Sequence, residues 1–381
     1  MDAATTIRDA AQALQSAAAS MPRQRAWLGL DGFVDEIVRV VRTRRAADDY
    51  DPIDSVAEYA GRIGAASGGK STNVEFVTQE IKIGGNGPLM AQAVGALGAE
   101  LCYVGAVGWP ELHPVYEPLR RFGSLNPIAP PGITLAAEFG DDGKIMHGRM
   151  EGLRDVTYDN MAARLGGTEG LRNTLRGCGL VAILNWTMLP HLTDILRRMR
   201  ADVEALGAEA PRIAFFDLCD PAKRPVADLV DALRVMASYS SKHTTAILGL
   251  NEKESESVCD ALGVDRGGND GAGQLARARA VAEALAISEV VIHPTRLASA
   301  WGAAGSGSVD GPYCKNPKLT TGAGDHFNGG YATARMLGLP PARAVVVGKA
   351  VSGFYVRTGT GPSVAELRAF CDRWADGSLD S

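Results

Sequence analysis

No stretch of this sequence is apolar enough to cross a membrane, because none approaches about eighteen consecutive apolar residues. The N-terminus also lacks the uninterrupted apolar segment of a secretory signal, since Arg8, Asp9 and Gln12 break its apolar residues into a helical stripe. Internal repeats and low-complexity linkers are absent as well. We therefore expect a soluble, cytoplasmic protein that does not insert into a membrane.

The distribution of cysteine, histidine and charge excludes several kinds of site. The six cysteines lie far apart without a Cys-x-x-Cys pair, and the six histidines are scattered, so no zinc-binding spacing occurs. Reduced thiols are the simpler interpretation of such cysteines. The net charge is −5, with lysines and arginines mixed among acidic residues throughout. Without a basic face, the chain is not expected to bind nucleic acid.

Short apolar runs alternate with longer segments of helical periodicity along the 381 residues, 46% of which are hydrophobic. The apolar runs predict strands at 101–107, 180–184, 213–217, 246–250 and 290–293. Helices are predicted at 192–206 and 272–286. This alternation predicts an α/β fold in which a mostly parallel sheet is covered by helices on both faces. A chain of this size can bury a large core, as one large domain or two smaller ones.

Three segments alternate polar and apolar residues and break this rhythm. They are residues 72–83, 133–139 and 144–150. Alternation of this kind predicts half-exposed antiparallel strands rather than strands of a buried parallel sheet. Between the first strand region and these segments, residues 55–63 are predicted to be helical.

The most informative segment is 320–325, Thr-Thr-Gly-Ala-Gly-Asp, which follows a predicted turn-rich strand (313–319) and precedes a predicted helix (327–335). A loop of small residues at a helix N-terminus presents backbone N–H groups and the positive end of the helix dipole to an anion. A carboxylate beside that anion suits phosphoryl transfer, in which a base takes the proton of the attacking hydroxyl. The segment predicts a kinase-type site with Asp325 as the base. In isolation, Gly-Ala-Gly-Asp would be better interpreted as a tight turn whose Asp caps the helix.

The segment resembles the C-terminal signature of the ribokinase-like (PfkB) sugar and nucleoside kinases, Asp-Thr-x-Gly-Ala-Gly-Asp-x-Phe-x-x-Gly. The residues that match it in register are Thr320, Gly322, Ala323, Gly324, Asp325, Phe327 and Gly330. Residues 84–98 resemble the N-terminal Gly-Gly signature of the same family, and Asn251 and Glu254 match its Asn-x-x-Glu. The resemblance spans roughly residues 26–370, and two separate signatures make it specific.

The resemblance implies a single ribokinase-like domain over 1–381, with a three-layer α/β fold and a small β-lid over the sugar. The lid would be formed by segments near 36–84 and 132–152. A homodimer formed through the lid is compatible with this arrangement. The implied substrate is a small sugar or nucleoside, and the implied cofactors are ATP and Mg²⁺.

The same resemblance implies a role for each matching residue. Asp325 would be the general base, with Gly322, Ala323 and Gly324 as an anion hole. Substrate would contact Asp31, Asp35, Gly84, Gly85, Asn86 and Asn185, of which Asp35 best matches the sugar-binding Asp at the end of the family's opening strand. Nucleotide would contact Asn251, Thr295, Thr320, Gly322, Gly324 and Gly361. Glu254 and Asn251 would order Mg²⁺ through its water shell.

Residues 64–71, Gly-Ala-Ala-Ser-Gly-Gly-Lys-Ser, also match the P-loop pattern, and 213–217 resemble its magnesium-binding strand. A P-loop must follow a buried strand and open a helix, so that its N–H groups converge on phosphate. Here a helical segment precedes the pattern and an alternating strand follows it. We therefore interpret 64–71 as a flexible loop beside the lid, and Asp217 as the strand-end Asp that the family carries near its cleft.

Departures from the family pattern leave parts of the function open. The family usually has Asn where this chain has Leu89. Residues 293–298 replace a glycine-containing segment that leaves room for nucleotide, so ADP remains an alternative donor. Leu319 stands where many members have an Asp that helps to bind a monovalent cation, so we expect no strong activation by K⁺. A catalytically weak binding or regulatory protein on the kinase fold is a further alternative, against which the intact Asp325 argues.

Overall fold

The computed structural model describes residues 2–18, 24–141 and 143–379. In these ranges the strands are β1 Arg25–Gly29, β2 Phe33–Ala46, β3 Asp49–Pro52, β4 Phe76–Gly84, β5 Glu100–Gly105, β6 Gly123–Pro127, β7 Gly132–Glu138, β8 Lys144–Arg149, β9 Leu180–Ile183, β10 Ile213–Asp217, β11 Thr245–Leu250, β12 Glu289–Ile292, β13 Leu297–Gly302 and β14 Gly305–Asp310. The helices are α1 Ala3–Ala17, α2 Val56–Gly64, α3 Asn86–Ala96, α4 Tyr158–Arg164, α5 Gly167–Leu175, α6 Leu192–Ala205, α7 Val226–Ala237, α8 Glu252–Leu262, α9 Gly271–Leu285, α10 Ala323–Met336, α11 Pro341–Thr358 and α12 Val364–Ala375.

The main sheet has nine strands in the order β14-β13-β12-β11-β10-β9-β1-β5-β6. The pairs from β6 to β12 are parallel, whereas β13 and β14 are added in antiparallel pairing. Phe215 and Phe216, neighbours in β10, are both fully buried and belong to separate apolar clusters on the two faces of the sheet. Helices therefore cover both faces, as the alternation of strands and helices predicts. The carboxyl ends of the parallel strands meet at one edge, where open sheets of this kind bind ligands.

A smaller sheet contains the alternating segments, which are strands as predicted except at 72–75; the prediction of antiparallel pairing holds for β4 and β8, but β7 is parallel to β2. Its order is β3-β2-β7-β8, with β4 also paired to β2. The β2 strand is antiparallel to β4 and parallel to β7. Tyr59 of α2 covers one face, in an apolar cluster with Val38, Val40, Ile53, Ala137 and Phe139. Because side chains alternate along β2, Asp35 projects from the opposite face.

The segment 27–38 is not one strand, as its resemblance to a single opening strand implies, but the end of β1 and the start of β2. The chain bends where Gly29 and Gly32 approach the neighbouring strand, because a Cβ on either would collide with the carbonyl oxygen of Val104 or Ala106. The break places Asp35 inside β2 rather than at the end of the first strand.

The other central strands and the helices predicted at 55–63, 192–206 and 272–286 are confirmed with shifts of one or two residues at their ends, whereas the helix predicted at 327–335 begins four residues earlier, at Ala323. The predicted strand at 313–319 is wrong, since these residues have no regular structure. Pro312 and Pro317 have no N–H group for a strand ladder. The Lys318 N–H group instead donates to Val356 O of α11, at 2.8 Å.

Residues 64–71 do not form a P-loop. They lie at the end of α2 and in the turn after it, and the next element is the strand β4. Lys70 is exposed in this turn. The segment therefore lacks the strand before it and the helix after it that phosphate binding would need, as its sequence context predicts.

In the described part of the chain, no helix combines the length and the apolar character needed to span a membrane. All six cysteines have free thiols. Cys102, Cys178, Cys259 and Cys371 are buried.

Candidate active site

A cavity of about 960 Å³ opens at the edge of the main sheet where β10, β11 and β12 end. Asp217 at the end of β10, Asn251 after β11 and His293 after β12 all line it. Residues 323–325 at the N-terminus of α10 form another wall. The fold thus brings segments that are far apart in sequence to the edge where ligands bind.

Asp325 lies in the first turn of α10, and 7% of its surface is exposed. Its Oδ1 accepts a hydrogen bond of 2.8 Å from Asn86 Nδ2. Burial raises the pKa of the Asp325 carboxyl to about 8; the Asn86 bond opposes the increase, and the negative charges of Asp31 and Glu254 add to it. A carboxyl with a raised pKa binds a proton more readily than an ordinary aspartate does.

The residues before Asp325 form a tight turn at the helix N-terminus. Gly322 caps the helix with φ 88°, a left-handed conformation that favours glycine. Among the described residues, the N–H groups of Gly322 and Gly324 have no hydrogen-bond acceptor, whereas Ala323 N–H donates to Thr320 O at 3.2 Å. The turn therefore offers backbone donors and the helix dipole to an anion. The Ala323 N–H group is the one donor of the three that already has an acceptor within the turn.

Asp31 is fully buried and anchors the glycine-rich loop before α3. Its two oxygens accept hydrogen bonds of 2.9 Å from the N–H groups of Asn86 and Gly87, and Asn185 Nδ2 donates to Oδ2 at 2.8 Å. A Cβ on Gly85 would lie only 2.9 Å from Oδ2. Burial raises the pKa of Asp31 to about 6 despite these bonds. The carboxylate is thus already bound by donors of the protein, so a substrate could use only its remaining lone pairs.

Asp35 lies in a row of polar side chains across the small sheet. In register, it is opposite Lys82 of β4 on one side and Thr134 of β7 on the other. Burial raises the pKa of Asp35, whereas a hydrogen bond with the Thr134 side chain and the charge of Lys82 oppose the increase. A Cβ on Gly84 would collide with the Asp35 carboxylate. Carboxylate, hydroxyl and ammonium groups together provide acceptors and donors for the hydroxyls of a sugar.

Two further buried carboxylates, Asp217 and Glu254, line the cavity near Asp325. Asp217 Oδ2 accepts a hydrogen bond of 3.0 Å from Asn328 Nδ2, while its Oδ1 has no partner in the described structure. Glu254 and Asn251 form a capping box at the start of α8, in which Glu254 Oε2 accepts from Asn251 N–H at 2.9 Å. Burial raises the pKa of both carboxyls, and the charge of Glu254 raises that of Asp217 further.

These carboxylates fit a cation that arrives with its own water. In the ranges that the structure describes, no group of three or more His, Cys, Asp or Glu side chains could hold a metal ion directly. The unpaired Asp217 oxygen and the repulsion among Asp217, Glu254 and Asp325 nevertheless favour positive charge here. Mg²⁺ keeps several waters and binds through few carboxylates, which matches this donor set.

The segment after β12 forms the cavity wall together with a buried lysine. Lys349 of α11 donates to the backbone oxygens of Thr295 at 2.8 Å and Pro294 at 3.3 Å, and burial lowers its pKa to about 8. His293 stacks on Phe327 with ring centroids 4.6 Å apart, and its buried Nε2 has no partner within the described residues. Burial and the Lys349 charge lower the pKa of His293 to about 3, so its ring is neutral.

The predicted catalytic, nucleotide and magnesium residues line the cavity except Gly322 and Gly361, whereas of the predicted substrate residues only Asn86 does. Asn251, Thr295, Thr320 and Gly324 line the cavity. Gly361, predicted to bind nucleotide, packs against α3 instead, where a Cβ would lie 3.2 Å from Ala96 Cβ. Its position is away from the cavity lining because the chain after α11 turns back over α3.

Four polar residues that contact or stand opposite the residues described above are not predicted from the sequence. They are Lys82, Thr134, Lys349 and Asn328. Lys82 and Thr134 are recognisable only once the pairing of β2 with β4 and β7 is known, because each stands opposite Asp35. Asn328 lies one turn after Asp325 and could have been suspected from that spacing. No local pattern distinguishes Lys349 from an exposed helix lysine.

Solved structures share this fold. A ribokinase from Thermotoga maritima has a TM-score of 0.60 and 16% identity, covering 91% of this chain and 98% of that chain. A fructokinase with bound ATP from Xylella fastidiosa has a TM-score of 0.60 and 13% identity, covering 92% of this chain and 99% of that chain. These likenesses show the ribokinase fold.

Sequence comparison defines the class more closely. The profile of prokaryotic ketohexokinases matches residues 1–374. A ketohexokinase from Haloferax volcanii is 30% identical over 392 aligned positions, covering 98% of this chain and 97% of the relative. The protein is a sugar kinase of the ribokinase-like (PfkB) class, as the two signatures predict. Within that class, the chain belongs to the prokaryotic ketohexokinase family.

Proposed function

We propose that the protein transfers the γ-phosphoryl group of ATP to a hydroxyl group of a ketohexose. The hydrogen bond between Asn86 and Asp325 carries this proposal, because it joins the loop predicted to hold the sugar to the carboxylate predicted to take its proton. The family match over residues 1–374 and the Haloferax volcanii relative support a ketohexose as acceptor. The ATP-bound fructokinase of the same fold supports ATP as donor.

In the proposed reaction, the sugar oxygen forms a bond to the γ-phosphorus as the bond from that phosphorus to the departing ADP oxygen breaks. The hydroxyl proton passes to the Asp325 carboxylate. Asn86 holds that carboxylate in place and favours its ionised form through the 2.8 Å hydrogen bond. General-base catalysis of this kind typically contributes about 10²–10⁴-fold to the rate.

The turn before Asp325 is proposed to hold the charge of the transferring group. The N–H groups of Gly322 and Gly324 are available, and that of Ala323 would exchange its 3.2 Å turn bond for a bond to phosphate. Fixed backbone donors and a helix N-terminus stabilise such charge without reorganising during the reaction. Thr320, Asn251 and Thr295 would contact the nucleotide from the cavity walls.

The sugar is proposed to bind between the glycine-rich loop and the small sheet. Asp35 would accept hydrogen bonds from its hydroxyls, with Lys82 and Thr134 as neighbouring groups in the same row. The missing side chains of Gly84 and Gly85 leave room for the carboxylates of Asp35 and Asp31. Asp31 and Asn185 would act mainly by holding the loop, since their hydrogen bond of 2.8 Å is internal to the protein.

Mg²⁺ would be held through water by Glu254 and Asn251, near the unpaired oxygen of Asp217. When bound, it supplies positive charge that neutralises the nucleotide phosphates. The carboxylates of this chain have raised pKa values because they are buried together, and they would become fully ionised beside such a charge.

The domain arrangement is part of the same proposal. We treat 1–381 as one kinase domain whose lid segments, near 36–84 and 132–152, close over the sugar. Pairing of two copies through the lid is part of the same proposal; Ile81 and Met146 are exposed on the small sheet, and the strand register puts them on opposite faces of it, so each would belong to a different interface. Sedimentation of a variant with both residues changed to Ser would test this pairing. Because the reaction consumes ATP, we place it in the cytoplasm.

A substrate panel tests the proposal. Ketohexoses such as fructose, aldohexoses and nucleosides would each be incubated with Mg²⁺ and either ATP or ADP, and phosphorylated products would be measured. We expect turnover of a ketohexose with ATP. Turnover only with ADP would show that ADP is the donor, and turnover of nucleosides alone would show that the acceptor is a nucleoside. Nucleotide binding without any turnover would indicate a regulatory protein.

A further inference from the structure

The residue after the proposed base, His326, stacks on Tyr355 of α11. Their ring centroids are 3.6 Å apart and the rings are inclined by only 16°. Both side chains are buried, and neither lines the cavity that would hold nucleotide. The pair therefore lies behind the anion-binding turn rather than in the site itself.

Each ring binds one carbonyl oxygen of that turn. The Tyr355 hydroxyl donates to Thr321 O at 2.9 Å, and His326 Nδ1 lies 2.9 Å from Gly322 O, which also accepts the backbone N–H of His326 at 3.0 Å. A carbonyl oxygen only accepts, so Nδ1 must carry the proton of the imidazole. Burial lowers the pKa of His326 to about 4, which keeps the ring neutral in this tautomer.

Holding these oxygens also fixes the donors on the other side of the same peptide units. In a planar trans peptide, the C=O of one residue and the N–H of the next point in opposite directions. Fixing Thr321 O therefore directs the Gly322 N–H, and fixing Gly322 O directs the Ala323 N–H. These are two of the three donors of the proposed anion hole.

We infer that His326 and Tyr355 are positioning residues that aim the anion-hole N–H groups of Gly322 and Ala323 at the transferring phosphoryl group. The inference rests on the proposed function of that turn. Leu89 completes the support, since the space beside Gly322 is closed by Leu89 Cδ1 and the Tyr355 hydroxyl, each 3.0 Å from where a Cβ would stand.

Packing alone does not account for a histidine here. His326 Nε2 is buried and has no hydrogen-bond partner in the described part of the chain. Such an unpaired polar atom costs stability, which an apolar ring of similar shape would avoid. The unpaired Nε2 therefore lowers the stability of the protein, whereas Nδ1 of the same ring gains the hydrogen bond to Gly322 O.

Three variants separate orientation of the turn from packing. His326→Phe keeps a ring against Tyr355 but loses the Nδ1 donor, whereas His326→Asn loses the ring but keeps a donor near the Nδ1 position. Tyr355→Phe removes only the hydroxyl. Tyr239→Phe is the matched control, because the buried Tyr239 hydroxyl also donates to a backbone oxygen, Leu196 O at 2.7 Å, remote from the cavity.

We expect His326→Phe and Tyr355→Phe to lower kcat about tenfold or more, since removing one such donor outright costs about 10²–10³-fold. KM for the sugar should change little, and the melting temperature of His326→Phe should equal or exceed that of the wild type. His326→Asn should recover much of the lost kcat. The inference would be overturned if the kcat of His326→Phe equals that of the wild type. It would also be overturned if His326→Asn loses as much kcat and as much melting temperature as His326→Phe does.

A binding measurement distinguishes this inference from the proposed function. Aluminium fluoride with MgADP and a ketohexose mimics the transferring group, so its affinity reports on the anion hole without turnover. We expect His326→Phe to weaken aluminium fluoride binding while leaving MgADP affinity unchanged. If the wild type binds the fluoride and His326→Phe binds it equally well, only the positioning role fails. If the wild type does not bind it, the anion hole and the positioning role both fail.

Discussion

Asn86 and Asp325 are 239 residues apart in sequence, yet Asn86 Nδ2 donates to Asp325 Oδ1 at 2.8 Å. Asn86 begins α3 and its own N–H is held by Asp31, while Asp325 lies in the first turn of α10. One chain of hydrogen bonds therefore runs from the loop predicted to hold the sugar to the proposed base. The position and the pKa of that base depend on it.

Replacing Asn86 by Ala should move the pH–activity profile to higher pH. The Asn86 bond favours ionised Asp325 and so lowers its pKa; without the bond, the pKa rises. Because the base must be ionised to accept a proton, activity would appear only at higher pH. A hydrogen bond to a charged group contributes about 1.5–3 kcal/mol, so the shift should be about one pH unit or more.

The measurement is kcat/KM against pH for both enzymes. Asn160→Ala provides the control, since Asn160 Nδ2 donates to Asp155 O at 2.9 Å in an exposed segment away from the cavity. A profile that loses amplitude in Asn86→Ala without moving on the pH axis would contradict the proposed effect on Asp325.

Glu254→Gln should raise the Mg²⁺ concentration needed for activity while leaving KM for the sugar nearly unchanged. The carboxylate would act through metal-bound water, which a neutral amide orders less well. Glu366→Gln is a matched control, because Glu366 forms the same kind of capping box with Ser363 at the start of α12, on the exposed surface. Equal magnesium dependence in the two variants would show that Glu254 serves only the helix start.

Lys70→Ala should leave nucleotide affinity within about threefold of the wild-type value, since an exposed lysine away from phosphate contributes little. Lys70 lies in the turn after α2 and does not line the cavity. Titration of each protein with ATP would measure this. A loss well beyond threefold would return residues 64–71 to consideration as a phosphate loop.

Activity should not depend strongly on K⁺. Leu319 offers no carboxylate at the position where the ribokinase-like family carries an Asp, and its N–H donates to Val356 O at 3.4 Å. Leu89, Tyr355 and His326 hold the neighbouring turn through packing and direct hydrogen bonds. Initial rates in Na⁺, K⁺ and a bulky organic cation at matched ionic strength check this. A rise of about tenfold specific to K⁺, or about 1.4 kcal/mol of transition-state stabilisation, would show that a cation site exists.

Sequence periodicity predicts the fold well where packing is simple. The β10 strand agrees with its prediction residue for residue, because the buried residues Ile213 to Phe216 are all apolar and Asp217 marks the end of the run. The errors at 27–38 and 313–319 share a cause. In both segments, contacts with distant parts of the chain decide the backbone path: Gly29 and Gly32 meet the neighbouring strand, and Lys318 bonds to α11.

The candidate site likewise contains residues that the sequence reveals and residues that only the folded structure reveals. Asp325, Asn251 and Glu254 are recognisable from the sequence as candidate site residues because each belongs to a contiguous motif. Lys82 and Thr134 acquire meaning only from the register of β2 with its two neighbours. Lys349 depends on which face of α11 turns toward the cavity. Such relationships are set by tertiary packing, which no local pattern records.

The central claim is that Asp325 is the general base, and Asp325→Asn tests it most directly. The amide is nearly isosteric and its oxygen can still accept the Asn86 hydrogen bond, but it cannot take the proton of a hydroxyl. We expect the variant to fold and to bind ATP as the wild type does, measured by thermal melting and nucleotide titration. Its kcat for a ketohexose should fall by about 10²–10⁴-fold. A kcat close to that of the wild type would contradict the assignment of Asp325.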